Sequence, residues 1–118
     1  MRVDVYGLKT CDTCRKARRI LSEAEVDHVF HDVRESAISK SQVTRWAKAA
    51  GWEVLLNRSS AAWRGLDARD KERLTETKAV ALMAANPTLI KRPVIERGGT
   101  DVLVGWSTDV AAKLARKR

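Results

Sequence analysis

The chain has only two cysteines in 118 residues, Cys11 and Cys14, and two residues separate them. No apolar run approaches the roughly 18 residues that a membrane-spanning helix requires, so a membrane protein is not expected. The opening stretch MRVDVYGLKT lacks the apolar core of a signal peptide, because Asp4 falls where that core belongs. No repeat, linker or low-complexity segment is visible. Together these absences lead to the expectation of a cytosolic (cytoplasmic) protein. Cytosolic thiols are kept reduced, so a static structural disulfide is not the expected role of the pair. The composition, 44% apolar and 32% charged, is that of an ordinary globular protein. The length suits one compact domain over residues 1–118 and is short for two.

Positive charge is what the chain has in excess: 23 Lys and Arg against 15 Asp and Glu, a formal +8. Four of these cations close the chain, Lys113 and the basic residues of the ARKR tract, and another group follows the cysteines at Arg15, Lys16, Arg18 and Arg19. Such a balance suits anionic partners: nucleic acid, oxyanions, glutathione or an acidic protein face. On charge alone, a solvated helix face and a solvated tail take precedence.

Val3 and Val5 alternate with Asp4 and Tyr6, the period of a strand over residues 2–7. From Asp12 the period changes. Ala17, Ile20, Leu21 and Ala24 recur at i, i+3, i+4 and i+7, one stripe of a helix whose other face is basic. DHVFHDV, residues 27–33, predicts a second strand, parallel to the first as in a βαβ unit. A helix capped by Ser39 or Ser41 follows, with Val43, Trp46, Ala47 and Ala50 as its stripe and Gly51 as its end. Residues 52–78 are less regular, with helical stretches expected near 59–64 and 68–76, and KAVALMAA (78–85) reads as a helix stopped by Asn86 and Pro87. Two short strands around Gly98 and Gly99 and a helix over 107–117, with Val110, Ala111 and Leu114 inward, complete the chain. The order predicts an α/β, thioredoxin-like fold: a central four-stranded mixed sheet flanked by helices, with a helical insert between the βαβ and ββα halves. That topology sets Cys11 at the N-terminus of the first helix.

Three roles compete for the cysteines. Cys11, Cys14, His28 and His31 lie one residue from a zinc-finger spacing. The order of elements is wrong for one, since the cysteines open a helix and the histidines fall on a strand, three apart and so on opposite faces. No metal site is therefore assigned. Simple packing of a small buried side chain fits Cys14, inside the helix, better than Cys11 in the turn before it. The third role is thiol chemistry. A thiolate gains from unpaired N–H groups and the positive end of a helix dipole, and Lys9, Arg15 and Lys16 lie close in sequence. A second thiol one turn on can resolve an intermediate as a disulfide.

The segments YGLKTCDTCRKARRIL, FHDVR, GWEVLLN, WRGLD, IKRPVI and VLVGWS reach from the first strand to the last helix. In their order and spacing the sequence resembles the arsenate reductase (ArsC) family of thioredoxin-like proteins, which includes the Spx regulators and small thiol reductases of the YffB type. The resemblance implies that Cys11 is the catalytic cysteine, attacking an oxidised substrate or forming a mixed disulfide with glutathione. It implies that Arg92 holds the anionic substrate near the thiolate and that Pro93 is cis. A further family arginine matches Arg58, one place out of step, or Arg64. Asn57 and Trp63 shape the pocket on this reading, although an indole serves equally as core. Where arsenate reductases carry a third arginine, this chain has Gly105 followed by Trp106. Losing one charge-assisted fork weakens oxyanion capture. The C-x-x-C pair resembles the redox switch of Spx, while WRGLD, GWEVLLN and FHDVR resemble the YffB-type reductases, which commonly have only the first cysteine. The expected function is thus a thiol oxidoreductase acting on a small thiol or oxyanion substrate, with Cys11 as the nucleophile that the resemblance implies and Cys14, from its place one turn on, as the resolving thiol. Glutathione, thioredoxin or glutaredoxin is the expected electron donor, with no bound prosthetic group and a monomeric state. Arsenate reduction and an Spx-like redox regulator contacting RNA polymerase are the alternatives. Direct DNA binding is not expected, because the basic residues are split between the first helix and the tail without a reading helix.

Overall fold

In the computed structural model, which describes residues 2–98 and 101–115, the chain separates into two compact units. Met1–Ser36 and Arg92–Arg118 form the first, and Ala37–Lys91, the insert expected from the sequence, forms the second. Gly99 of the predicted turn and the cations Arg116, Lys117 and Arg118 lie outside the described residues.

The first unit contains β1 (Val3–Gly7), α1 (Asp12–Glu23), β2 (His28–Asp32), β3 (Val94–Arg97), β4 (Asp101–Val104) and α7 (Thr108–Ala115). The strands form one sheet in the order β2-β1-β3-β4, with β1 parallel to β2 and antiparallel to β3. This is the mixed four-stranded sheet of a thioredoxin-like fold. The alternation of β1 has its predicted effect: Val3, Val5 and Gly7 are buried, while Asp4 and Tyr6 take the other face. Val3, Val5, Ile95 and Leu103 from the sheet meet Leu21 of α1 and Leu114 of α7 in one core. Each such side chain contributes about 1.5–3 kcal/mol on full burial. The hairpin is tied to α7 through Arg97. Its Nε donates to Asp101 at 2.9 Å and its Nη1 to the Lys113 carbonyl at 3.0 Å.

The stripe of α1 differs from expectation at both ends. Cys14, Ala17 and Leu21 are buried, so the stripe starts a turn earlier, and Ala24 is exposed. The helix closes after Glu23 because Val26 N–H reaches Leu21 O at 2.9 Å and Glu25 N–H reaches Ser22 O at 3.0 Å, a Schellman closure. Glu25 occupies its left-handed position, φ 61°. A glutamate there carries no sequence mark of a helix end.

In the second unit, α2 (Lys40–Ala50) is capped by Ser39, whose Oγ accepts from Gln42 N–H at 3.0 Å, and it ends at Gly51 with φ 96°. Val43, Trp46 and Ala47 are buried as predicted, whereas Ala50 is only half-buried. Two elements escape the sequence pattern: α3 (Trp52–Leu55) and a 3-10 turn over Pro87–Leu89. After α4 (Ala61–Arg64), the helix expected over 68–76 stops early, as α5 (Ala68–Lys71). Arg73 turns left-handed at φ 52°, and Thr75 caps a new helix, α6 (Glu76–Ala85), accepting from Lys78 N–H at 3.2 Å. Among the described residues no helix is long and apolar enough to cross a membrane.

Candidate active site

Cys11 is the N-cap of α1, with extended backbone (φ −82°, ψ 122°). Its N–H donates to Leu8 O at 3.1 Å, and its carbonyl accepts from Arg15 N–H at 3.0 Å. An N-cap is usually Ser, Thr, Asp or Asn, whose oxygen engages the free N–H groups of the first turn. A sulfur in that place leaves those donors and the helix dipole to stabilise a thiolate. Burial works against the charged form of Cys11. The N–H and thiol of Cys14, the Arg92 guanidinium and the N–H of Thr13 outweigh it, so the Cys11 thiol lies below its ordinary value of 9.0.

Cys14, one turn further, is fully buried. Burial pushes its thiol up to about 11; the backbone of Leu8 and the charge of Arg92 oppose this, while Cys11 adds to it. The pair is therefore split into a half-exposed, acidified thiol and a sealed, weakly acidic one, and both are free. The Arg92–Pro93 bond is cis, and Pro93 O accepts from Gly105 N–H at 2.8 Å. Gly105 itself has φ 81° and is buried, so the position where arsenate reductases are expected to carry an arginine is a glycine turn beside Pro93.

Two residues that the sequence reading passed over hold this arrangement. The first is Gly7, at the end of β1: a Cβ there would overlap Cys14 Sγ. The second is Asp32, at the end of β2 and 8% exposed. Its Oδ2 accepts from Lys9 N–H and its Oδ1 from Arg34 N–H, both at 2.8 Å, which pins the loop between β1 and α1. The Lys9 N–H is the main reason that the Asp32 carboxyl lies below its usual 3.8; burial opposes this and the Arg34 N–H assists. Because the folded-state value is the lower one, Asp32 stabilises the fold fully above 3.8, and this is lost as pH falls through the folded-state value. Asp32→Asn keeps one acceptor oxygen and loses the other. It is expected to cost about 1 kcal/mol at neutral pH in urea unfolding and to flatten the acid limb of the stability curve. An unchanged acid limb would remove Asp32 from this role.

The remaining predicted residues divide between the units. Lys9 pairs its ammonium with Glu35 at 2.9 Å, and Arg15 lies 3.6 Å from Asp12. Arg58 and Arg64 belong to the second unit. The Arg58 guanidinium sits 5.7 Å from the centre of the Trp63 ring, with Lys71 5.4 Å from the same ring, and Arg64 Nη1 donates to Ser59 O at 2.9 Å. Asn57 shapes this turn by accepting from Ser59 N–H at 3.0 Å on its side chain and from the Ser60 hydroxyl at 2.8 Å on its carbonyl. His31 stacks on Tyr6 at 4.5 Å with Nε2 2.9 Å from Asp4, and His28 Nδ1 lies 2.8 Å from Val26 O. Among the described residues no group of three or more His, Cys, Asp or Glu is arranged to hold a metal ion.

Comparison with known proteins follows the same lines. A solved structure named YffB protein is 42% identical, with a TM-score of 0.91 over 97% of this chain and 99% of its own. An arsenate reductase (ArsC) related protein from Brucella melitensis is 35% identical, with a TM-score of 0.76 over 96% of this chain and 93% of its own. The global transcriptional regulator Spx of Streptococcus pyogenes is 33% identical over 95 residues, 79% of this chain and 70% of that protein. The model of the ArsC family matches residues 6–114, and the chain belongs to that family.

Proposed function

We propose that this protein is a monomeric thiol oxidoreductase without a prosthetic group, in which the Cys11 thiolate attacks a disulfide. The observation that carries this reading is the split between the two thiols, Cys11 acidified at the start of α1 near Arg92 and Cys14 buried with its value raised.

Attack on a disulfide RS–SR forms a Cys11–S–S–R bond, breaks the S–S bond of the substrate and releases RS⁻, which takes up a proton. A second thiol then attacks the Cys11 sulfur and releases the remaining RS⁻. If glutathione supplies it, a second glutathione restores Cys11 and leaves as oxidised glutathione. If Cys14 supplies it, an internal disulfide forms, and a dithiol protein such as thioredoxin or glutaredoxin returns two electrons and two protons. At rest Cys14 is a poor nucleophile, with a value of about 11. Once Cys11 is capped, its charge no longer opposes ionisation of Cys14, and only burial still raises it. Resolution by Cys14 therefore follows capping of Cys11, and in the meantime the exposed disulfide favours an external thiol. In both routes Arg92 supplies the cation beside the reacting sulfur and holds an anionic substrate there, as a guanidinium holds a carboxylate.

The test is brief exposure to oxidised glutathione followed by peptide mapping. Adduct at Cys11 with Cys14 unmodified is the expected result; adduct at Cys14 first, or at neither, overturns the reading. Reduction of arsenate has less support, since Gly105 supplies no third guanidinium. An NADPH-coupled assay with glutathione, glutaredoxin or thioredoxin is expected to show no arsenate-dependent rate. A second reading, a redox-sensitive regulator that binds RNA polymerase, is favoured by the similarity to Spx together with the paired cysteines. Pull-down of RNA polymerase by one oxidation state and not the other would establish it; no capture by either would remove it.

A further inference from the structure

Thiol chemistry leaves one feature of the first unit unused. Arg15, Arg18, Arg19 and Ser22 recur on α1 at i, i+3, i+4 and i+7, and with His28 of β2 they line an open groove of about 290 Å³. The lining carries three guanidiniums, a hydroxyl and an imidazole, and no carboxylate. The Arg18 guanidinium is held 4.2 Å from the centre of the Phe30 ring. Arg15 and Arg19 have carboxylates on their own helix, Asp12 at 3.6 Å and Glu23 at 3.9 Å, in exposed pairs that a partner readily displaces.

We propose that this groove is a docking surface for the carboxylate-rich face of a protein that exchanges thiols with Cys11, an inference that rests on the function proposed above. Position argues for it. Arg15 follows Cys11 by four residues and Ser22 by eleven, so the groove runs from about 6 Å to about 16 Å along the helix from the thiol. A protein whose own sulfur reaches Cys11 passes over or beside this stretch. Charge argues for it too: three guanidiniums, two of them held only in exposed pairs with Asp12 and Glu23, attract a carboxylate face and steer its approach. A nucleic acid suits the groove less well. A duplex carries one charge per about 1.7 Å, and proteins that hold it neutralise about 6–10 phosphates, against three cations here.

The test uses Cys11→Ser protein, so that binding is measured apart from thiol chemistry, and a fluorescein-labelled decaglutamate peptide followed by fluorescence polarisation. Saturable binding that weakens from low to physiological ionic strength is expected. Arg19→Gln, at an exposed side chain, should weaken it about threefold and Arg18→Gln/Arg19→Gln about tenfold. Lys40→Gln/Lys48→Gln removes the same number of charges from the second unit and should change it by less than about twofold. Absence of binding, an equal loss in the lysine variant, or a short DNA duplex binding as tightly as the peptide overturns the proposal. Failure of peptide binding leaves the Cys11 adduct untouched, and failure of the adduct leaves peptide binding untouched, so the two readings fall separately.

Discussion

Cys11→Ser is expected to lower the rate of disulfide exchange at least about a thousandfold, to the level of buffer, while leaving the fold intact. A serine hydroxyl is not ionised at neutral pH and forms no disulfide, so the N–H groups of Thr13 and Cys14 and the Arg92 guanidinium have no anion to stabilise. Cys11 is half-exposed, and its backbone hydrogen bonds to Leu8 and Arg15 do not involve the sulfur, so unfolding offers no alternative explanation for the loss. Cys14→Ser is the informative companion. With external thiol as the resolving group its rate should fall by less than about tenfold, mainly because Cys14 is one of the groups that lower the Cys11 value. Equal activities of wild type and Cys11→Ser in a glutathione-coupled assay would end the thiol reading, and equal losses in both variants would make Cys14 the obligatory resolving thiol.

The second large effect is predicted at Gly7. An alanine Cβ there would overlap the sulfur of Cys14, a residue that is fully buried. Gly7→Ala should therefore destabilise the protein by about 2–3 kcal/mol, the cost of overpacking a closed site. Removing the sulfur should relieve it: in the Gly7→Ala/Cys14→Ala double variant the cost of the alanine falls by about 1–2 kcal/mol relative to its cost in wild type. Urea unfolding of the four proteins measures the coupling. Additive costs would mean that the strain at Gly7 arises elsewhere. The same overlap displaces a group that lowers the Cys11 value, so Gly7→Ala should also slow Cys11 alkylation at neutral pH.

Much of this arrangement is legible in the sequence, and the parts that are not share a physical cause. β1 and α1 are legible because the apolar periods of two and 3.6 are local, and Cys11 falls at the junction where one period gives way to the other; β2 is legible from its β-branched and aromatic residues. Ser39 and Gly51 mark the ends of α2 through cap chemistry that is equally local. Ala24 misleads because the helix ends through a left-handed glutamate, where glycine or asparagine would have given notice. Arg73 and Thr75 end one helix and begin another within a stretch that has helical composition throughout. Gly7 and Asp32 were missed because their importance is tertiary. A glycine ending a strand and an aspartate in FHDVR have no local peculiarity until Cys14 and the Lys9 amide are brought against them. Arg92 stands eighty-one positions after Cys11, and only the family resemblance linked the two.

The central claim is that the two thiols have opposite acidities imposed by their places on α1. Carbon NMR of the Cβ atoms of Cys11 and Cys14, followed as pH is raised, measures both in one sample. Cys11 is expected to titrate first, below 9.0, and Cys14 to follow at about 11. Titration of Cys11 at or above 9.0, or of Cys14 ahead of it, would show that the two places on α1 do not set the acidities in this way.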